Sequence, residues 1–501
     1  MNEAARDRLI AALLLCASVA FHASYAFHGV ALFDEGLLAD GAWRLLRGDV
    51  PAVDATVPYG PATYGLVAGA FAAFGTSVAT MRWVLVAIQA VADAALWLLA
   101  RRTASRPGAL LAVALFAVAH GSLHKSAIAA ASVLALLAAV RIERCAGARG
   151  ALEAGVAIAG AFLFRHDVGG FAAIACAVAL LLDARAERVA AWRRLSALAA
   201  GFVALLAPLV LALLVAGLDL PRWWALEWQR IGVQEAIELR WSPFTSIGES
   251  GFGARVLAVA LFAAPLLHVA WGGGALLRWR RNAPLSGDVF RIAAALFGLL
   301  LLNQARLVPS ANHLFQAFLP VALALADLLS RRGRGLLPHA LLAALVAAVV
   351  TWASLGRSGL YSGTFKQRID GAVPVRLATA GFALRPEFAA ALERVVEQIQ
   401  RRVGVDEALA TGPGSPLLAF LAQRRLAQPF AEPSYYYRSE RFQQEVIAAL
   451  EQELPPLLVT DGSEPANYRF EEVAPRVAGW FARRYAPVLT IGPFTLHERL
   501  R

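Results

Sequence analysis

Long apolar segments alternate with short arginine-containing segments over the first 356 residues. Most of the apolar segments approach the about 20 residues that an α-helix needs to cross a bilayer. Since a helix satisfies its own backbone polar groups in lipid, this pattern predicts a polytopic α-helical membrane protein with about eleven transmembrane helices. The predicted spans are 9–31, 81–100, 108–123, 126–142, 151–165, 168–183, 196–217, 254–272, 289–304, 314–330 and 336–356.

Composition agrees with this class. The chain is 58% hydrophobic and 17% charged, whereas a soluble domain is about half apolar and about a quarter charged. The net charge of +11 would suggest a nucleic-acid partner in a soluble protein. Here most arginines lie in short loops between spans, so the charge indicates topology and we expect no nucleic-acid partner.

The arginine clusters also predict an orientation. They precede the first span and follow the second, fourth, sixth, eighth and tenth spans, so all of them fall on one side. The positive-inside rule makes that side cytoplasmic. We therefore expect a multi-pass protein of the bacterial inner membrane, with a cytoplasmic N-terminus and a periplasmic region after residue 357.

The stretch 33–80 is then extracytoplasmic and contains two predicted helices. Residues 36–47 have apolar positions at helical spacing, which is typical of an amphipathic helix at the membrane interface. Residues 61–74 are apolar but too short to span comfortably, so we expect an interfacial or re-entrant helix. As a true span, this segment would place most later arginine-rich loops outside.

Composition changes again after residue 356, where charges become dense. We expect two domains: a transmembrane catalytic domain over 1–356 and a small periplasmic α/β domain over 357–501. The predicted elements of the second domain are strands in 408–412 and 456–462, amphipathic helices at 386–402, 439–453 and 471–485, and a hairpin over 486–500 that turns at Gly492-Pro493.

Ionisable residues gather at the predicted outer face. Two adjacent carboxylates, Asp34 and Glu35, follow the first span, and such residues usually face water or a site. Carboxylates and cations together at a membrane surface suit a phosphorylated lipid, because the cations neutralise phosphate and a carboxylate acts as a base. The other candidates for substrate binding are His124, Lys125, Arg165, His166, Asp167, Arg306 and His313.

Each of these groups has a structural alternative. Asp34 could cap the helix that follows it, since acids favour helix N-termini. Residues 165–167 could form a tight turn with a local ion pair, although three ionisable residues between two apolar spans favour a site.

Other polar groups favour structure over chemistry. His120 and His124 have the i, i+4 spacing of metal ligands but no nearby acid, so interfacial packing is favoured. Gln89 and Asp93 lie one turn apart within a span, which favours hydrogen bonds to a neighbouring helix. The tryptophan-rich loop 218–252 is more typical of an interfacial aromatic belt than of a sugar-binding platform.

The ordered residues of 33–82 carry a family resemblance. They read FDEG, then AWRLLRGDVPAVD, then PYGPATYGLVAGAFAAFGTSVATMR. This resembles the first outer loop of the membrane-embedded GT-C glycosyltransferases, in the branch of aminoarabinose transferase, protein mannosyltransferases and rhizobial lipopolysaccharide sugar transferases. The matching positions are Asp34-Glu35, Gly48, Asp54, Pro58 with Pro61, Phe74-Gly75 and Arg82.

The resemblance implies a GT-C fold and a hexosyl or pentosyl transferase. Its donor would be a polyprenyl-phosphate sugar, and its acceptor a hydroxyl of a glycan, lipid or protein. Asp34 would be the catalytic base of an inverting transfer, with Glu35 as the second acid of the pair. Arg165, Lys125, His124 and Arg306 would be candidates to stabilise the donor phosphate.

The family pattern is not matched everywhere. Many members have an acid in the second outer loop, where this chain has GSLHKSA at 121–127, and Asp167 is the candidate to replace it. We expect no cofactor, while a divalent metal stays open because related oligosaccharyltransferases depend on one.

Two other functions stay open. A transporter or flippase of a lipid-linked or anionic substrate would place ionisable residues near the bilayer midplane and contain inverted repeats. Asp93 fits the first feature, but the sequence has no clear repeat. A catalytically silent scaffold with a partner-binding C-terminal domain is the second.

Overall fold

The fold was analysed in a computed structural model. It describes residues 2–50, 59–118, 123–145, 147–183, 188–225, 228, 252–281, 285–307, 317–332, 371–412, 415–429, 438–462 and 470–500.

Twelve α-helices of residues 2–332 have both ends among the described residues. They are α1 (Glu3–Ala26), α2 (Asp34–Leu46), α3 (Pro61–Phe74), α4 (Val78–Ala100), α5 (Arg106–Val118), α6 (Ser126–Arg144), α7 (Ala148–Phe164), α8 (His166–Asp183), α9 (Arg188–Val215), α10 (Phe252–Arg280), α11 (Asp288–Leu307) and α12 (Phe318–Arg332).

The apolar segments form helices, as predicted. Ten of the eleven predicted spans correspond to α1 and α4–α12, with ends that differ by several residues, and the span predicted at 336–356 lies outside the described residues. Four helices of the described chain are long and apolar enough to cross a membrane: Glu3–Ala26, Val78–Ala100, Leu123–Arg144 and Val189–Val215. The chain is therefore a membrane protein, and its orientation stays a prediction.

Both helices predicted between the first two spans are present. The helix α3 begins with Pro61, whose fixed φ suits a first turn, and ends before Gly75, which has a φ of 90°. The helix α2 is less exposed than an interfacial helix would be. Residues 35–42 and Arg44 are all buried, so its polar residues face protein and not only water.

A mixed sheet forms the centre of the C-terminal region. Its strands are β3 (Ala408–Thr411), β4 (Arg425–Leu426), β5 (Leu457–Asp461), β6 (Tyr485–Ile491) and β7 (Phe494–Arg499), in the order β4-β3-β5-β7-β6. The strand β3 is parallel to β4 and β5, while β7 pairs antiparallel with β5 and β6. The predicted strands and the closing hairpin are thus confirmed. A separate pair joins β1 (Val373–Pro374) to β2 (Ala383–Leu384).

Five helices accompany this sheet: α13 (Pro386–Arg402), α14 (Leu417–Ala422), α15 (Glu440–Glu453), α16 (Phe470–Val473) and α17 (Pro475–Arg484). The helices predicted at 386–402 and 439–453 are confirmed. The helix predicted at 471–485 is divided, because Pro475 begins a new helix after Ala474. Aromatic residues of α15–α17, including Phe442, Trp480 and Phe481, pack with β3 and β5 in one apolar core.

The described chain divides into two compact units. The first comprises Met1–Ala26, Leu85–Leu211 and Arg240–Gly363, and the second comprises Phe27–Val84, Ala212–Leu239 and Thr364–Arg501. The first outer loop therefore belongs to the same unit as the C-terminal sheet. The division into a transmembrane catalytic domain and a periplasmic domain at 356/357 stays a prediction. The compact units do not follow that boundary, because residues 27–84 pack with 364–501.

Candidate active site

The acid pair lies at the start of α2. Asp34 is the first residue of this helix and is half-buried, while Glu35 is buried. The N-cap position of α2 is Phe33, whose side chain makes no capping hydrogen bond. Asp34 is therefore the first helical residue and not the N-cap, and its negative charge suits the positive end of the helix dipole.

Glu35 forms a bidentate ion pair with Arg82 of α4. The Arg82 Nε donates to Glu35 Oε1 over 2.7 Å, and Nη2 donates to Oε2 over 2.7 Å. The side chains are 8% and 3% exposed. A guanidinium and a carboxylate that meet through two parallel bonds fix both distance and orientation. The pair thereby ties the start of α2 to α4.

The turn before α2 is held by the same two side chains. Arg82 Nη2 also donates to the Gly29 carbonyl over 2.8 Å. The Ala31 amide donates to Glu35 Oε2 over 2.9 Å, and the Glu35 amide donates to the Ala31 carbonyl over 3.1 Å. These bonds satisfy most of the polar atoms that burial of Glu35 and Arg82 takes from water. The backbone that enters Asp34 is thus fixed.

A second buried ion pair lies farther along α2. Arg44 Nε donates to Asp40 Oδ2 over 2.9 Å, and Arg44 Nη2 donates to the carbonyl of Leu426 in β4 over 3.0 Å. Burial raises the pKa of the Asp40 carboxyl above its ordinary value, and Arg44 only partly opposes this. Arg44 therefore connects the outer loop to the sheet.

Apolar contacts join the same elements. The ring of Phe420 in α14 stacks on Phe71 of α3, with centroids 5.6 Å apart, and meets the edge of Trp43 of α2 at 6.2 Å. Phe420 is fully buried. The short helix α14 thus packs into the surface that α2 and α3 form together.

Residues 165–167 form a tight turn with a local ion pair, which is the structural alternative to a binding site given above. Arg165 ends α7, His166 begins α8, and Arg165 Nε donates to both carboxylate oxygens of Asp167 over 3.0 and 3.2 Å. Both side chains are 20% exposed. The ion pair is therefore only partly enclosed by protein, and a role in phosphate binding stays a prediction.

The remaining candidates have varied placements. His124 is buried and Lys125 half-buried in a 3-10 turn, Leu123–Lys125, before α6. Arg306 belongs to α11, but its side chain is not described, and His313 lies outside the described residues. These residues and Arg165 belong to the first unit, whereas Asp34 and Glu35 belong to the second. Their assembly into one site stays a prediction.

The polar residues of the second span make the predicted helix contacts. Asp93 Oδ2 accepts hydrogen bonds from Ser18 Oγ over 2.8 Å and lies 2.7 Å from His22 Nε2, both in α1. Gln89 Nε2 donates to Asp93 Oδ1 over 3.5 Å. All four side chains are buried. Asp93 is therefore part of a helix–helix network, which is the structural interpretation favoured above.

The sequence singles out Glu35 and Arg82 but does not show that they form a pair. The signal was an acid after one span and an arginine near the start of the next, both costly to bury alone. No sequence pattern indicates the contact between Gly36 and Leu417. Among the described residues, no three His, Cys, Asp or Glu side chains are grouped as a metal site.

Comparison with solved structures identifies the fold. The chain is similar to ArnT from Cupriavidus metallidurans bound to undecaprenyl phosphate, with a TM-score of 0.52 and 12% identity over 99% of this chain and 98% of that one. The chain has the GT-C fold. The apo ArnT structure gives the same TM-score of 0.52 at 13% identity, over 99% of both chains. At this identity the likeness establishes the fold and not the reaction.

A weaker likeness is to the archaeal oligosaccharyltransferase AglB from Archaeoglobus fulgidus, in complex with an inhibitory peptide and a dolichol-phosphate. It covers 91% of this chain and 69% of that one, at 14% identity and a TM-score of 0.47. No protein-family model matches the chain, and no curated protein matches it.

Proposed function

We propose that this GT-C chain is a membrane glycosyltransferase that moves a sugar from a polyprenyl-phosphate donor to an acceptor hydroxyl at the periplasmic face. The observation that carries the proposal is the whole-chain likeness to ArnT, which was solved with undecaprenyl phosphate. The acid pair after the first span, in the order of residues that resembles this family, supports the same reaction.

Asp34 is the proposed base. Its carboxylate takes the proton of the acceptor hydroxyl, whose oxygen attacks the anomeric carbon from the face opposite the phosphate. The bond between the anomeric carbon and the phosphate oxygen breaks, and the electron pair leaves with the polyprenyl phosphate. The configuration at the anomeric carbon is inverted. General-base help of this kind contributes about 10²–10⁴ in rate.

Glu35 is proposed to support Asp34 without exchanging protons with the substrate. Both of its oxygens accept hydrogen bonds from Arg82, and the residue is 6% exposed. Because the guanidinium contacts both carboxylate oxygens, we leave the proton transfer to Asp34 and assign Glu35 a positioning role. Its contribution is the fixed position of the first turn of α2.

The donor phosphate is proposed to bind Arg165, with His124, Lys125, His166, Arg306 and His313 as further candidates around it. Arg165 has one partner, Asp167, in the described turn, and 20% of its side chain is exposed. A phosphate that leaves as a dianion is stabilised by such cations. Asp167 is proposed to pair with Arg165 until the phosphate takes its place.

The first experiment removes the base. Purified protein in nanodiscs is given a panel of undecaprenyl-phosphate-linked monosaccharides with an envelope extract as acceptor, and release of undecaprenyl phosphate is measured. Asp34→Asn should lower turnover by about 10²–10⁴. The matched control Asp49→Asn changes an acid of the same loop whose side chain is 33% exposed, and should keep nearly full activity. A folded Asp34→Asn variant with wild-type turnover would contradict the assignment.

A further inference from the structure

The backbone on both sides of Asp34 contacts one residue of the C-terminal region. The Leu417 amide donates to the carbonyl of Leu32 over 3.2 Å. The same amide nitrogen lies against Gly36, where an added Cβ would come within 2.4 Å of it. Leu32 and Gly36 lie two residues before and after Asp34, so a single N–H group contacts the chain on each side of the proposed base.

Only glycine allows this approach. A Cβ at position 36 would also meet Pro416 Cγ at 2.9 Å and Leu417 Cα at 3.0 Å. Two of these three atoms belong to the backbone, so the clash cannot be relieved by turning a side chain. Residues 415–417 are buried, and Leu417 begins α14. The first turn of α2 and the start of α14 are therefore packed backbone against backbone.

We propose that Gly36 is a positioning residue for Asp34, and that segment 415–417 of the C-terminal region sets the place of the Asp34 carboxylate. This inference rests on the proposed function, in which Asp34 is the base. It gives the C-terminal region a part in the transfer step, because the site is built from two distant parts of the sequence.

The surrounding contacts indicate that this arrangement is rigid. Arg82 holds the turn before Asp34 through Gly29 and Glu35, while Arg44 holds the end of α2 to β4. Leu417 acts between these two fixed points. A base displaced by about 1 Å can lose about 10² in rate. A substitution at Gly36 should therefore lower kcat more than it changes the KM for the donor.

The test is Gly36→Ala, compared with two other glycine substitutions. In a helix alanine is favoured over glycine by about 1 kcal/mol, so any loss arises from the clash. Gly69→Ala in α3 is the matched control, because an added Cβ there meets nothing within 4 Å. Gly41→Ala is a second comparison, since its Cβ would meet the Tyr64 ring at 2.4 Å, away from Leu417.

We expect Gly36→Ala to lower kcat by about 10²-fold, with less than about a threefold change in the KM for the donor. Gly69→Ala should match the wild type. Gly41→Ala should lower stability but change kcat by less than about threefold. If Gly41→Ala and Gly36→Ala lower kcat equally, or if Gly36→Ala raises only the KM, positioning through Leu417 is wrong.

A double-mutant cycle with Asp34→Asn separates positioning from general damage. If Gly36 acts through Asp34, then Gly36→Ala should cause no further loss in the Asp34→Asn background, because residues that act as a unit are non-additive. Full additivity would overturn the inference. A folded Asp34→Asn variant with normal turnover would instead overturn the proposed function, whatever Gly36→Ala does.

A gentler variant applies if Gly36→Ala does not fold. Pro416→Gly removes the ring that lies against Gly36 and loosens the start of α14, so kcat should fall about threefold to tenfold. This loss should also disappear in the Asp34→Asn background. A Pro416→Gly variant with unchanged kcat, or with an additive loss, would contradict the inference.

Discussion

Two carboxylate–guanidinium pairs lie at predicted outer ends of membrane helices, and they differ in burial and in sequence separation. Glu35 and Arg82 are 47 positions apart, and their side chains are 8% and 3% exposed. Arg165 and Asp167 are two positions apart, and each is 20% exposed. The first pair joins separate elements, while the second stays within one turn.

This difference in burial indicates different roles for the two pairs: one fixes the structure of the site and the other binds substrate. A buried pair cannot exchange its partner without leaving a charge unpaired, which costs several kcal/mol. A partly exposed local pair contributes about 0–1 kcal/mol, so its arginine can turn to a phosphate at little cost. We therefore infer that Glu35 and Arg82 fix the structure of the outer loop. Arg165 is paired with Asp167, but exchanging this partner for the donor phosphate costs little free energy.

The largest expected effect comes from breaking the buried pair. Glu35→Gln removes the carboxylate charge from the bidentate contact with buried Arg82, so the free energy of unfolding should fall by about 3–5 kcal/mol. Equilibrium unfolding in mixed micelles measures it. The matched control is Glu153→Gln, which removes a carboxylate that is 31% exposed and pairs with Arg149, and should cost less than about 1 kcal/mol. Equal losses in the two variants would contradict a structural role for the buried pair.

The next effect concerns the exposed pair. Arg165→Gln should raise the KM for the polyprenyl-phosphate donor by about 10- to 100-fold, because a hydrogen bond to a charged group contributes about 1.5–3 kcal/mol. Steady-state kinetics in nanodiscs measures it. Asp167→Asn should shift KM in the opposite direction, since it releases Arg165 while its side-chain oxygen can still accept from the Val168 amide. Unchanged KM in both variants would mean that the turn is only structural.

Local patterns predicted most elements of the fold. The helices α2 and α3 and the hairpin β6–β7 follow from apolar spacing, proline at a helix start and a Gly-Pro turn, all of which act over a few residues. The division of the predicted helix at 471–485 was missed because apolar periodicity continues across Pro475.

Contacts between distant parts of the chain could not be predicted in the same way. The sequence marks Glu35 as an acid at a costly position, but its pairing with Arg82 depends on how α4 packs against the turn before α2. Gly36 looked like any helical glycine, and its close contact with Leu417 appears only in the folded unit. Placing Asp34 with Arg165 requires the same kind of long-range information, so it stays a prediction.

The smallest expected effect comes from a third pair, which is more exposed than the other two and intermediate between them in sequence separation. Arg425 Nη1 donates to Glu453 Oε1 over 2.6 Å, between β4 and the end of α15, and the side chains are 33% and 31% exposed. The hydrogen bond from Arg425 lowers the pKa of the Glu453 carboxyl below its ordinary value, against a weaker opposing effect of burial. Because the pKa is lower when folded, the pair stabilises fully above the unfolded carboxyl pKa and loses this effect as pH falls through the folded pKa.

Glu453→Gln should therefore lower the free energy of unfolding by about 0.2–1 kcal/mol at neutral pH. The difference from the wild type should shrink towards zero as the pH falls below the ordinary carboxyl value of 4.5. Thermal unfolding of both proteins over this pH range measures the difference. The control is Glu397→Gln, which removes a carboxylate that is 53% exposed and pairs with Arg401 within α13, and it should change the free energy of unfolding less. A difference in unfolding free energy that stays constant with pH would mean that Glu453 stabilises the protein through packing and not through its charge. The exposure of the three ion pairs would then not be enough to order their contributions to stability.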